Sequence, residues 1–75
     1  MEIERLITMA NQIGEFFETQ PDRAAAVNAV AQHIKSFWEP RMRRQIIEYA
    51  HGGRGELREV VHEALITLDQ PRKSD

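Results

Sequence analysis

An all-α fold, a small compact bundle of about four helices with the first two as an antiparallel hairpin, is what three features of this chain predict. Apolar residues recur at three- and four-residue steps through most of its length. Pro21, Pro40 and the glycines from Gly52 to Gly55 divide that pattern into four segments. No segment alternates apolar and polar residues as a half-buried strand does.

The composition bounds the rest. With 75 residues, 41% hydrophobic and 29% charged, the chain has room for one domain, expected over 1–68, and a tail over 69–75 that is expected to be disordered because it holds a proline and no apolar residue. A domain of this size hides only about 60% of its unfolded surface. Its private core is therefore marginal. The chain has no cysteine, so neither a disulfide nor a thiolate metal site is available to reinforce it. The mixed-charge start and the absence of a long apolar run predict no secretory signal and no membrane span, hence a cytoplasmic location.

The first helix is expected from Ile3 to about Glu18, with Ile3, Leu6, Ile7, Ala10, Ile13 and Phe17 inward and Glu4, Thr8, Asn11, Gln12, Glu15 and Glu18 outward. Met9 and Phe16 widen its apolar face beyond one packed layer, so either the helix is embraced on two sides or these two residues face another chain. Gly14 sits inside the same face. A glycine there costs roughly 1 kcal/mol relative to alanine, which close approach of a neighbouring backbone would offset. Pro21 fits a first helical position and Asp22 the negative charge favoured at a helix start. The second helix then carries Val27, Val30, Ala31, Ile34, Phe37 and Trp38 on one stripe.

Pro40 disfavours helical geometry at Glu39 and starts a new helix, which places a bend between two kinds of chemistry. Phe37 and Trp38 lie on one side of the bend, and Arg41, Arg43 and Arg44 lie on the other. The third helix runs to about Ala50 with Met42, Ile46 and Tyr49 together, while Ile47 projects nearly opposite between Arg43 and Arg44 as an apolar spot framed by charge. Glu48, four residues after Arg44, is spaced to answer part of that charge. A fourth helix is expected from Glu56, with Leu57, Val60, Val61, Ala64, Leu65 and Leu68 inward and Ile66 pointing away.

Enzymatic chemistry finds little support. Ser36 and Ser74 have no positioned base, and His33, His51 and His62 lack ligand spacing. The carboxylate pairs Glu15/Glu18 and Glu59/Glu63 fall on solvated faces where nothing would raise a pKa. No catalytic, cofactor or metal residue is expected. A short helix bearing three arginines invites comparison with nucleic-acid binding, but the net charge of −2 and the acidic fourth helix oppose it. Tryptophan and arginine together are enriched in protein-binding hot spots, which favours a partner protein.

Two blocks, Met9-Ala10-Asn11-Gln12-Ile13-Gly14-Glu15-Phe16-Phe17 and His33-Ile34-Lys35-Ser36-Phe37-Trp38-Glu39-Pro40-Arg41-Met42-Arg43-Arg44-Gln45-Ile46, resemble the delta subunit of cytoplasmic NAD-dependent, molybdenum-containing formate dehydrogenases. The resemblance runs from about Ile3 to Leu68. It implies a non-catalytic accessory subunit that binds the catalytic alpha subunit, in a larger assembly with beta and gamma subunits, and supports molybdenum cofactor insertion and complex stability. The alpha subunit would carry the molybdenum bis-guanine-dinucleotide cofactor and iron-sulfur clusters, and this chain would bind none stably. The expected docking surface joins Trp38, Pro40, Arg41, Met42, Arg43, Arg44 and Ile47, with Met9 and Phe16 as a second patch. Trp38 either anchors the bend in the core or inserts into the partner, and its helical phase with Ile34 and Val27 favours the core. The alternative is a stand-alone helical interaction module or homodimeric regulator that self-associates when isolated and binds nucleic acid weakly.

Overall fold

The computed structural model describes residues 2–69 and contains four helices, α1 (Ile3–Phe17), α2 (Arg23–Phe37), α3 (Pro40–His51) and α4 (Glu59–Asp69). Among the described residues there is no strand. The predicted all-α class is therefore the observed one. Helix α1 buries Leu6, Ile7, Ala10 and Gly14, and α2 buries Ala26, Val30, Ala31 and Ile34. Helix α3 adds Ile46 and Ala50, and α4 adds Val60, Val61, Ala64 and Leu65. All of these, with Trp38 and Leu57 from the connections, form one apolar cluster. Helix α4 meets each of the other three, and its contact with α2 is the most extensive in the molecule.

Helix boundaries follow from where orphan backbone groups find partners. Pro21 lies outside α2, contrary to the expected first helical position. Asp22 caps the helix instead, its carboxylate accepting the N–H of Ala24 at 3.0 Å. Pro40 opens α3 as expected, after Trp38 and Glu39 in extended conformation. Helix α4 starts at Glu59 rather than Glu56, because the preceding residues are held in a turn. Leu57 donates to the Arg54 carbonyl at 3.0 Å, and the Glu56 N–H donates to the Tyr49 hydroxyl at 3.2 Å.

Asn11 completes that turn from across the molecule. Its amide donates to the Glu56 carbonyl and accepts the Arg58 N–H, both at 2.9 Å. The sequence places Asn11 on the polar side of α1; that side in fact meets the α3–α4 connection. Arg58 reinforces the junction with a two-pronged pair to Glu18, Nε to Oε2 at 3.1 Å and Nη2 to Oε1 at 2.8 Å. Gly55 takes a left-handed conformation with φ of +57° there, and a side chain at that position would strike Tyr49.

Gly14 answers the expectation of close approach, with side chains rather than backbone as the neighbour. A methyl group at this position would collide with Val61 and crowd Val60, so α1 seats on α4 through the missing Cβ. Ile66 was expected to point away but is half-buried against the core. Asp69, expected in the tail, closes α4 and pairs with His51 at the end of α3. The remaining tail expectation, residues 70–75, lies outside the described residues.

Two outcomes follow. Gly14→Ala lowers stability by about 1–3 kcal/mol through overpacking against Val61, despite alanine's better helix propensity, as read by urea unfolding. The Glu18 carboxyl sits below its usual pKa, chiefly because Arg58 hydrogen-bonds its charged form; desolvation opposes this, and the fields of Arg58 and then Arg23 add to the lowering. A depressed folded pKa gives stability that is present above the ordinary carboxylate range and lost as pH falls through the lower folded value. The difference in urea midpoint between the parent and Glu18→Gln should thus be largest near pH 7 and shrink below about pH 4.

Candidate protein-docking site

An open groove of about 490 Å³ lies where α1, the second half of α2 and the α2–α3 corner meet. Helix α1 contributes Met9, Gln12, Ile13, Phe16 and Phe17, and the other wall is His33 and Trp38. Its rings form a continuous chain. Phe16 meets Phe17 edge-on with centroids 5.0 Å apart, Phe17 meets His33 at 6.2 Å, and His33 meets Phe37 at 4.8 Å.

Phe16 and Phe37 stand 71% and 75% exposed, the large apolar side chains most open to solvent among the described residues. Phe16 is where the wide apolar face of α1 led one to expect it. Phe37 is not, since the sequence assigned it to the inward stripe of α2. The reason is local. Helix α2 ends at Phe37, and Trp38 takes φ −88° and ψ 143°, so the extended turn carries the tryptophan into the core while the phenylalanine stays on the outer face. Trp38 is 6% exposed and anchors the bend, the favoured of its two expected roles; insertion of its ring into a partner is not available from this position.

The expected arginine face separates into two kinds of residue. Arg43 is half-buried and structural, donating from Nη1 to the carbonyls of Lys35 and Trp38, both at 3.2 Å. It thereby satisfies carbonyl groups at the end of α2 that the helix leaves unpaired. Arg41 and Arg44 are exposed and, with Glu39 and Pro40, line a separate shallow hollow of about 480 Å³. Neither has an ion-pair partner among the described residues, and the expected Arg44–Glu48 pair is absent there. Met42 and Ile47 are half-buried against the core, so Ile47 is not the projecting apolar spot its helical phase suggested. Met9 is half-buried too, but it lines the groove beside Phe16.

The histidines serve packing and helix ends. His33 stacks in the groove, His62 Nε2 lies 3.1 Å from the Ala50 carbonyl, and His51 pairs with Asp69. Among the described residues no three His, Cys, Asp or Glu side chains converge as a metal site requires, and no helix is long and apolar enough to cross a membrane. The sequence reading missed His33, Ile13 and Phe17 as groove residues. One signal was available for Phe37: two adjacent aromatics at a helix end cannot both point inward unless the backbone changes conformation between them.

Fold and groove together define a small all-α protein whose main surface feature is an open aromatic cleft beside unpaired arginines, a form suited to binding another protein. A family model described as "NADH-dependant formate dehydrogenase delta subunit FdsD" matches residues 5–65, and the chain belongs to that family. It is thus related to a subunit of a formate dehydrogenase complex. No match is found among curated proteins or solved structures.

The two neighbouring aromatics should separate in mutagenesis. Trp38→Ala removes a core side chain and should destabilise the chain by about 3–5 kcal/mol. Phe37→Ala should shift it by no more than about 0.5 kcal/mol, as a surface change does. Thermal unfolding followed by circular dichroism distinguishes them, and equal losses would contradict the assignment.

Proposed function

We propose that this chain is a non-catalytic accessory subunit of a cytoplasmic NAD-dependent formate dehydrogenase. It binds the catalytic alpha subunit, supports insertion of the molybdenum cofactor during maturation and stabilises the assembly with the beta and gamma subunits. The observation that carries this reading is the family match over residues 5–65, a span that contains every residue of the groove and of the arginine corner. The absence of stably bound cofactor in this chain is part of the proposal, with the molybdenum bis-guanine-dinucleotide and the iron-sulfur clusters assigned to the partner.

The surface refines the expected docking residues. Trp38, Arg43, Met42 and Ile47 are committed wholly or partly to packing or backbone bonds, so they shape the site from beneath. Arg41, Arg44, Pro40, Met9 and Phe16 remain for direct contact. Arginine presents a planar fork to carboxylates, and unpaired arginines beside an apolar patch are what a docking surface needs.

The test is co-production of the catalytic subunit with the parent chain or with Arg41→Glu/Arg44→Glu. The variant should keep its helical signal, while the catalytic subunit purified alongside it should hold less molybdenum and reduce NAD with formate more slowly. Full molybdenum content and activity in the complete absence of this chain would contradict the accessory role. Arg43→Glu is the unsuitable variant, since it breaks the bonds that close α2.

A further inference from the structure

We infer that the aromatic groove and the basic corner are one continuous surface whose occupant is an amphipathic helix of the partner subunit, apolar along its length and acidic at the end that reaches the corner. The inference rests on the accessory-subunit reading and names the chemistry that reading leaves open.

Continuity comes from Trp38. It is one of the residues that line the groove, and its carbonyl accepts from Arg43 at the start of the corner. The corner carries Arg41, Arg43 and Arg44 against the one carboxylate of Glu39. Arg41 and Arg44 have no ion-pair partner among the described residues. No carboxylate lines the groove itself. A ligand that fills the apolar part and ends in Asp or Glu would therefore meet complementary surface at both places, with the arginine forks donating to its carboxylates.

Helical shape is set by the walls. The groove runs along α1 past Met9, Ile13 and Phe16, a repeat of three and four residues, and a helix laid in such a cleft presents its own side chains at the same repeat. The occupant is not a second copy of this chain. Phe16 and Phe37 together offer roughly 300 Å² of apolar surface on the usual size of an aromatic side chain, well below the ~800 Å² per partner of a stable dimer. Extending a symmetric interface over the corner would set Arg41, Arg43 and Arg44 of each copy against those of the other, with only Glu39 on each side to meet them.

The experiment uses the full chain co-produced with the catalytic subunit, with a photoreactive benzoylphenylalanine replacing Phe16 or Phe37 in turn. Expected is cross-linking from both positions to one helix-length segment of the partner that has apolar residues at three- and four-residue spacing and Asp or Glu at one end. Cross-links to a second copy of this chain, or to a segment without carboxylates, would overturn the inference. So would a complex that co-purifies normally yet gives no cross-link from either position, a result that leaves the accessory role intact. Failure of the parent chain to co-purify with the catalytic subunit removes both. As a second readout, Phe16→Ser/Phe37→Ser and Arg41→Glu/Arg44→Glu alter only exposed side chains. Each should weaken capture of the catalytic subunit at least tenfold with the helical signal unchanged, and unaltered capture by either pair would refute the surface.

Discussion

The seating of α4 is the constraint on which the rest of this structure depends. It presents Val60, Val61, Ala64 and Leu65 to the other helices, meets all three of them, and makes with α2 the most extensive helix contact in the molecule. A domain of this size has no second layer to absorb a misplacement. The chain fixes α4 from its amino-terminal side, where Gly14 lets α1 come close, Asn11 holds the backbone of Glu56 and Arg58, and Glu18 grips the Arg58 side chain. At the other end Asp69 meets His51. The loop before α4 is thus part of the packing rather than a passive link.

That arrangement explains why aromatic surface is left outside. Helices α1 and α2 spend their inner faces on α4 and on each other through Leu6, Ala10, Val30 and Ile34. Phe16 and Phe37 fall beyond this cluster, and Trp38 plugs the corner beneath them. Exposed phenylalanines bring no stability to a chain with little to spare, and patches of this kind mark places where a soluble protein meets another molecule. The arginines divide on the same logic. Arg43 closes a helix end, whereas Arg41 and Arg44 project without partners among the described residues.

Periodicity made the four helices and most of the core legible, because burial along a helix depends on residue spacing that the sequence shows directly. The bend at Pro40 and the close approach at Gly14 were legible because proline and glycine act through their own backbone chemistry. What escaped were features set by contacts distant in sequence. Asn11 reads as an ordinary polar residue until the α3–α4 connection is placed against it, and that contact delays α4 to Glu59. Ile47 and Ile66 lie off the ideal stripes yet touch the core, since a small bundle wraps its helices from more than one side. Of the groove and the corner beside it, Met9, Phe16 and the exposed Arg41 and Arg44 stand out in the sequence. His33 in the groove wall and the exposed Phe37 ring against it do not, because His33 reads as an ordinary flank residue and the outward place of Phe37 follows from the extended backbone at Trp38.

The central claim is that this small helical chain acts as a bound subunit rather than alone. Native mass spectrometry of the complex purified through a tag on this chain tests it most directly. The account predicts a species containing the large catalytic subunit of formate dehydrogenase and this chain, with the free chain monomeric. Recovery of the chain only by itself or as a homodimer, under conditions where the catalytic subunit is abundant, would contradict it.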